Sequence, residues 1–199
     1  MKKIVLGLCC VLLSACQTLP TSSEWLARGE GYAKDGKTAQ AIDAYTRALQ
    51  LNENRADIYA ARGTAYFTQG QYALATQDFV QTLHLNPYYT DAYTALASAL
   101  AAQGAYAEAM DVINRVLVLA PSKPEIFFTR GGINFMLGKY DQSVQDYSLV
   151  LNTRPAVDVW EARAAAYLKL GQTEKAKQDM QQAQSGKYLQ KLSDYHQIR

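Results

Sequence analysis

The chain has 199 residues, which is enough for one ordinary domain with a buried core. Hydrophobic residues make up 49% of it and charged residues 19%, a composition typical of a globular protein and not of a disordered one. Its formal net charge is only +2. A chain this close to neutral, with no basic run, is predicted to bind neither nucleic acid nor anionic lipid by charge alone.

The amino terminus reads as a secretory signal peptide. Lys2 and Lys3 precede an apolar run over residues 4–13, and two small residues precede Cys16. A membrane-spanning anchor is the alternative, but spanning a bilayer needs about 20 apolar residues and the run is far shorter. We therefore expect residues 1–15 to be removed. The remaining chain then has equal numbers of basic and acidic residues, since both leader charges are lysines.

The end of this leader is more specific than a general cleavage site. Leu13-Ser14-Ala15-Cys16 resembles the lipobox of bacterial lipoproteins. That resemblance implies that the Cys16 thiol is acylated with chains such as palmitate, and several chains on one residue anchor a protein durably. Gln17, where an aspartate would retain the protein in the inner membrane, implies lipid anchoring at the outer membrane. We expect the periplasmic face of that membrane, and the outer surface is the alternative. Residues 16–21 would then be the lipidated terminus and a short tether.

Cysteine chemistry is largely excluded by the same interpretation. Cys9 and Cys10 would leave with the signal peptide, and Cys16 would carry lipid. No thiol would remain for a disulfide bond, a metal ion or nucleophilic catalysis.

From Ser22 onward the sequence repeats with a period of 34 residues. Counting from the first residue of each repeat, positions 8 and 20 are small, positions 4, 11 and 24 are mostly aromatic, position 15 is glycine and position 32 is often proline. Small residues allow two antiparallel helices to approach closely, glycine ends the first helix, and proline follows the second. The repeats are predicted at 22–55, 56–89, 90–123, 124–156 and 157–190, the fourth being one residue short.

This pattern resembles the tetratricopeptide repeat family and covers residues 22–190. The resemblance implies an all-α, right-handed superhelical solenoid of five helical hairpins, because no hairpin can bury its apolar faces alone. Beyond Gly186, residues 187–199 carry apolar side chains at helical spacing and are predicted to form a C-terminal capping helix. A partly disordered tail is the alternative for that segment.

Two positions change together along the repeats. Position 7 is arginine in repeats 1, 2, 4 and 5, and position 23 is aspartate in repeats 2, 4 and 5. In repeat 3 both become apolar, as Leu96 and Val112. We therefore predict Arg–Asp pairs across the hairpins of repeats 2, 4 and 5, namely Arg62–Asp78, Arg130–Asp146 and Arg163–Asp179. A row of arginines that binds a ligand is the alternative.

The residues do not favour catalysis. His84 and His196 are more than a hundred positions apart, and neither has a cysteine or histidine at metal-ligand spacing. No phosphate-binding glycine loop, G-x-S-x-G or H-E-x-x-H motif is present. We expect a protein that is not an enzyme, with no cofactor, no metal and no small-molecule substrate.

Protein binding is the function that the family resemblance implies. In the family, the first helices of successive repeats line a concave groove for segments of partner proteins. The lysines, asparagines and arginines with which some members clamp a terminal carboxylate are absent at these positions. Small residues prevail instead, which suits a partner helix or extended segment with large apolar side chains. The candidate groove residues are Thr64, Phe67, Ser98, Phe128, Phe135 and Met136. Alternatively, these aromatic residues pack inside the solenoid, or the capping helix fills the groove.

Three roles remain open from the sequence. The first is an adaptor that gathers other envelope proteins, such as peptidoglycan hydrolases and proteases, at the membrane. The second is a pilotin or other accessory lipoprotein for a type IV pilus or a secretion system. The third is a structural lipoprotein that associates with itself.

Overall fold

A computed structural model describes residues 19–197, with side chains through residue 186. Within that range the chain forms ten α-helices and no strands, and helices pair in sequence order as antiparallel hairpins. The predicted all-α solenoid is confirmed. The helices are α1 (Ser22–Lys34), α2 (Thr38–Leu51), α3 (Ala56–Thr68), α4 (Tyr72–Leu85), α5 (Thr90–Ala102), α6 (Tyr106–Leu119), α7 (Pro124–Met136), α8 (Tyr140–Thr153), α9 (Val157–Lys169) and α10 (Thr173–Gln197). In the described part of the chain, no helix is long and apolar enough to cross a membrane. The predicted signal peptide and Cys16 lie outside the described residues.

The repeat positions that were predicted to end helices do so. Each first helix has 13 residues and closes at a glycine of position 15, and these five glycines have φ between +73° and +81°. That left-handed conformation strains any residue with a Cβ, so glycine is required there. At the amino end, Thr21 and Glu24 form a capping box that opens α1.

The carboxyl end differs from the expectation of a separate capping helix. α10 continues without a break from Thr173 to Gln197, eleven residues longer than the 14-residue second helices before it. Gly186, beyond which the capping helix was predicted, lies within α10. A Cβ there would come 2.9 Å from Cγ2 of Val157, so this glycine permits close approach to the start of α9. Side chains from residue 187 onward lie outside the described part.

The helices form two layers. Odd-numbered helices contact the odd-numbered helices of neighbouring repeats, whereas no two even-numbered helices contact each other in the described chain. In a curved stack, the layer whose members lie closer together is on the inside of the curve. The odd-numbered helices therefore line the concave face.

Within each hairpin, residue size at position 8 matches residue size at position 24. Where position 24 is aromatic, position 8 is glycine, and an added Cβ would come 2.3 to 2.9 Å from the facing ring in all three hairpins. Where position 24 is Ile113 or Met180, position 8 is alanine. The pairs are Gly29–Tyr45, Gly63–Phe79, Ala97–Ile113, Gly131–Tyr147 and Ala164–Met180. A larger side chain at position 24 is therefore accompanied by a smaller residue at position 8, as close packing between the two helices requires.

The three predicted Arg–Asp pairs are confirmed. Arg62 donates to both carboxylate oxygens of Asp78 at 2.8 Å, and Arg163 pairs with Asp179 in the same way. Arg130 pairs with Asp146 through Nε at 3.1 Å. All three aspartates are buried. The hydrogen bonds to Asp78 and Asp179 raise the pKa of Arg62 and of Arg163 above its usual value, which keeps each guanidinium charged.

A third position belongs to this network and was missed from the sequence. Arg62 Nη1 donates to Thr46 Oγ1 at 3.2 Å, and Arg163 Nη1 donates to Ser148 Oγ at 2.9 Å. Both hydroxyls stand at position 25 of the preceding repeat. Where position 7 is the apolar Leu96, position 25 of the preceding repeat is apolar as well, Val80. Two of the three buried pairs therefore connect neighbouring repeats in addition to the two helices of one hairpin.

We predict that Gly131→Ala lowers the free energy of unfolding by about 1–3 kcal/mol, because its Cβ would come 2.8 Å from Cε1 of Tyr147. The adjacent Gly132→Ala is the matched control. Its Cβ would meet only Tyr147 Oη, at 3.7 Å, so better helix propensity should raise stability by up to about 1 kcal/mol. Thermal denaturation followed by circular dichroism measures both. Equal effects of the two substitutions on stability would contradict the matching of residue size between positions 8 and 24.

We also predict that Arg62→Leu destabilises the chain by up to about 3–5 kcal/mol, because Asp78 would remain buried and unpaired. The double variant Arg62→Leu with Asp78→Val reproduces the apolar pair of repeat 3 and should recover most of that loss. Chemical denaturation of the single and double variants gives the coupling energy. If the effects of the two single substitutions on stability simply add, Arg62 and Asp78 are not energetically coupled and the prediction is wrong.

Candidate functional site

The concave face contains a cavity between α3 and α5. It has a volume of about 200 Å³ and is lined by Thr64, Phe67, Phe79, Ala95 and Ser98. Three of the six residues that the sequence singled out, Thr64, Phe67 and Ser98, therefore lie around one cavity. We call this feature the α3–α5 cavity.

Residue size explains why a gap opens there. Phe67 is a large side chain on α3, whereas the facing positions on α5 are the small Ala95 and Ser98. Phe79 reaches the same cavity from α4, and its ring is only 2% exposed because it packs against Leu96 and the rest of the core. The cavity thus has a fixed aromatic floor and small side chains on its walls.

The hydroxyl groups on the walls are already engaged. Thr64 Oγ1 donates to the backbone oxygen of Ala60 at 2.9 Å, and Ser98 Oγ donates to that of Thr94 at 2.9 Å. Each hydroxyl already donates its single proton to a backbone oxygen of its own helix, so it can only accept further hydrogen bonds. The cavity is therefore suited to an apolar side chain, with weak polar contacts at its edge.

A neighbouring tyrosine holds the ring of Phe67 in place. The rings of Phe67 and Tyr72 lie 5.3 Å apart between centroids, and those of Phe135 and Tyr140 repeat this contact at 5.3 Å. Both contacts join position 12 to position 17 across the turn of the hairpin. The sequence carried this signal, since both phenylalanines are followed five residues later by tyrosine.

The remaining candidates lie on α7 and do not line the α3–α5 cavity. Phe128 packs on Tyr147, with 5.7 Å between ring centroids, and belongs with Tyr147 to the core cluster between repeats 4 and 5. Phe128 and Phe135 are half-buried, so packing inside the solenoid accounts for much of their surface. Met136 is 60% exposed and is free to contact a partner.

Acidic residues stand at position 2, at the start of the later first helices, and most are paired with basic residues. Arg55 holds Asp57 through two hydrogen bonds of 2.8 and 2.6 Å, which lower the pKa of Asp57. Lys123 pairs with Asp91, and Arg154 with Asp158. The charges along this edge largely cancel. The concave face would therefore contact a partner mainly through apolar side chains, with little long-range electrostatic attraction.

Metal binding finds no support in the described residues. No group of three or more histidine, cysteine, aspartate or glutamate side chains converges there.

The repeats match models of a known repeat family. Residues 29–70 match a model described as TPR repeat, and residues 60–124 and 157–185 match two models described as tetratricopeptide repeat. Together these matches span more than half of the chain. No curated protein sequence matches it.

Solved structures share the fold at low sequence identity. A thermophilic tetratricopeptide repeat protein of Thermus thermophilus superposes with a TM-score of 0.74 at 19% identity, covering 83% of this chain and 91% of that one. A tetratricopeptide repeat protein of Parabacteroides merdae gives 0.75 at 20% identity, covering 83% and 65%. MamA of Desulfovibrio magneticus gives 0.72 at 14% identity, covering 85% and 96%. Likeness at this level concerns the fold alone.

Proposed function

Because the chain belongs to the tetratricopeptide repeat family, we propose that it is a lipid-anchored adaptor of the bacterial cell envelope that holds segments of partner proteins on its concave face. A solenoid of such repeats is a protein–protein interaction scaffold. The α3–α5 cavity is the single observation that carries the proposal to a particular place on this chain.

The chemistry of the cavity defines the segment that it would accept. An open depression of about 200 Å³ over the ring of Phe79 fits one large apolar side chain. Such an anchor in a pocket contributes most of the affinity in many interfaces, while surrounding contacts add fit. The partner segment is therefore a helix or extended peptide that presents an aromatic or aliphatic residue to the α3–α5 cavity.

Membrane attachment is proposed from the sequence of the leader. Leu13-Ser14-Ala15-Cys16 supports acylation of Cys16, and Gln17 supports placement at the outer membrane. We propose the periplasmic face of that membrane, with the outer surface as the alternative. Only five residues, 17–21, separate Cys16 from the first residue of α1, and an extended chain rises about 3.3–3.6 Å per residue. The solenoid would therefore stay within about 20 Å of the anchor. An adaptor held this close acts on partners in or near the same membrane.

We predict that Thr64→Trp reduces partner binding at least about tenfold, because the indole would fill the α3–α5 cavity from its exposed rim. Gln77→Trp is the matched control, since Gln77 is exposed on α4, outside the concave layer. Crosslinking in cells, followed by affinity purification and mass spectrometry, compares the proteins captured by the two variants. Capture of the same partners at the same yield by both variants would exclude the cavity as the binding site.

We predict that mass spectrometry of the protein from membranes shows acyl chains on Cys16 and no residues 1–15. Cys16→Ser should abolish the acylation and leave residues 1–15 attached, because acylation of the cysteine precedes cleavage in the lipoproteins that this motif resembles. An unmodified thiol at Cys16 would refute the lipoprotein assignment and leave the cavity prediction untouched.

A further inference from the structure

The carboxyl end of the solenoid leaves open a face that is covered in the internal repeats. In repeat 2, Phe79 at position 24 is 2% exposed, because Leu96 and Ala99 of the next repeat pack against it. The same position in repeat 5 is Met180, which is 41% exposed. Leu168 stands at the position of the half-buried Phe67 and is 58% exposed.

These residues surround an open cavity of about 300 Å³. Leu168, Ala176 and Met180 line it, together with polar side chains of α10 that include Gln181 and Gln184. We call this surface the C-terminal face. Its apolar part corresponds to the surface that joins each internal repeat to the next, and no further repeat covers it among the described residues.

The length of α10 gives a second argument for a partner at this end. Gly186 already lies against Val157, the first residue of α9, so the eleven residues from 187 to 197 extend beyond α9 by about 16 Å at 1.5 Å per residue. Among described residues, α9 is the one helix that α10 contacts. A short helical extension in water is marginal unless an amphipathic face is packed. The sequence of the extension has such a pattern, with Tyr188, Leu192 and Tyr195 at helical spacing.

The opposite end of the solenoid is unsuited to fill the gap. In repeats 2 to 5, position 3 is buried against the preceding repeat as Ile58, Ala92, Ile126 or Val159. In repeat 1 this position is Glu24, whose carboxylate accepts a hydrogen bond from the backbone N–H of Thr21 at 2.7 Å. Position 3 packs against position 24 of the preceding repeat, so head-to-tail stacking would bury this carboxylate against Met180, which is unfavourable. The apolar C-terminal face therefore has no complement at the amino end.

We propose that a second copy of the chain covers the C-terminal face, so that two chains form a two-fold dimer through α9 and α10. A two-fold contact uses the same surface of both partners and closes the assembly at two copies. Each α10 then supplies the packing that the other lacks.

The test introduces a single cysteine on the C-terminal face of the full chain. Gln181→Cys should form a disulfide-linked dimer in intact membranes under mild oxidation, because residues near a two-fold axis meet their own counterparts. Gln50→Cys, an exposed position on α2, should not. Absence of the dimer with Gln181→Cys, or equal crosslinking by both cysteines, would overturn the proposal.

A second substitution distinguishes dimerisation through the C-terminal face from nonspecific association of exposed apolar residues. Leu168→Glu should reduce the Gln181→Cys dimer at least about tenfold, whereas Leu51→Glu should leave it unchanged. Leu51 is the matched control, because it is 57% exposed against 58% for Leu168. Circular dichroism confirms that both variants remain helical, since neither side chain is part of the core. A Gln181→Cys adduct with a different protein in place of the dimer would also overturn the proposal. Thr64→Trp should leave the dimer intact, so the dimer and the α3–α5 cavity can fail independently.

Discussion

The solenoid depends on the close approach of the two helices within each hairpin, at the contact between positions 8 and 24. In three hairpins this approach leaves no room for a single Cβ, and glycine faces an aromatic ring. In the other two, a smaller side chain at position 24 makes room for alanine. Because either combination lets the two helices pack directly on each other, each hairpin presents a similar surface to its neighbour, and similar surfaces allow five hairpins to stack.

Departures from this regularity produce the features that distinguish the chain. The α3–α5 cavity exists because Phe67 stands where repeats 1 and 3 have alanine, while its neighbours on α5 remain small. The carboxyl end of the described solenoid is open because Leu168 and Met180 keep the apolar character of internal positions, and no described repeat packs against them. At the amino end, Glu24 replaces the buried apolar residue of the other repeats and caps α1.

Much of this architecture could be predicted from the sequence, because it depends on residues that recur. The turn glycines and the Arg–Asp pairs recur at fixed positions, so comparing the repeats with one another revealed them. Gly186 falls outside that register, and its role depends on the packing of Val157 against it, which the repeat pattern does not encode. Thr46 and Ser148 bind arginines of the following repeat, so a pattern within single hairpins does not reveal them.

The candidate site was predicted less completely than the fold, for a physical reason. A side chain at a groove position can either be exposed to a partner or pack against its neighbours. Its orientation depends on side chains that are distant in sequence. Phe128 leans on Tyr147, nineteen residues away, whereas Met136 on the same helix stays exposed. The α3–α5 cavity requires a large residue on α3 and small residues on α5. It therefore forms only where these two neighbouring repeats pack together. A binding site on such a solenoid is therefore a property of the interface between repeats, and the most informative sequence signal for it is a change of residue size from one repeat to the next at the same position.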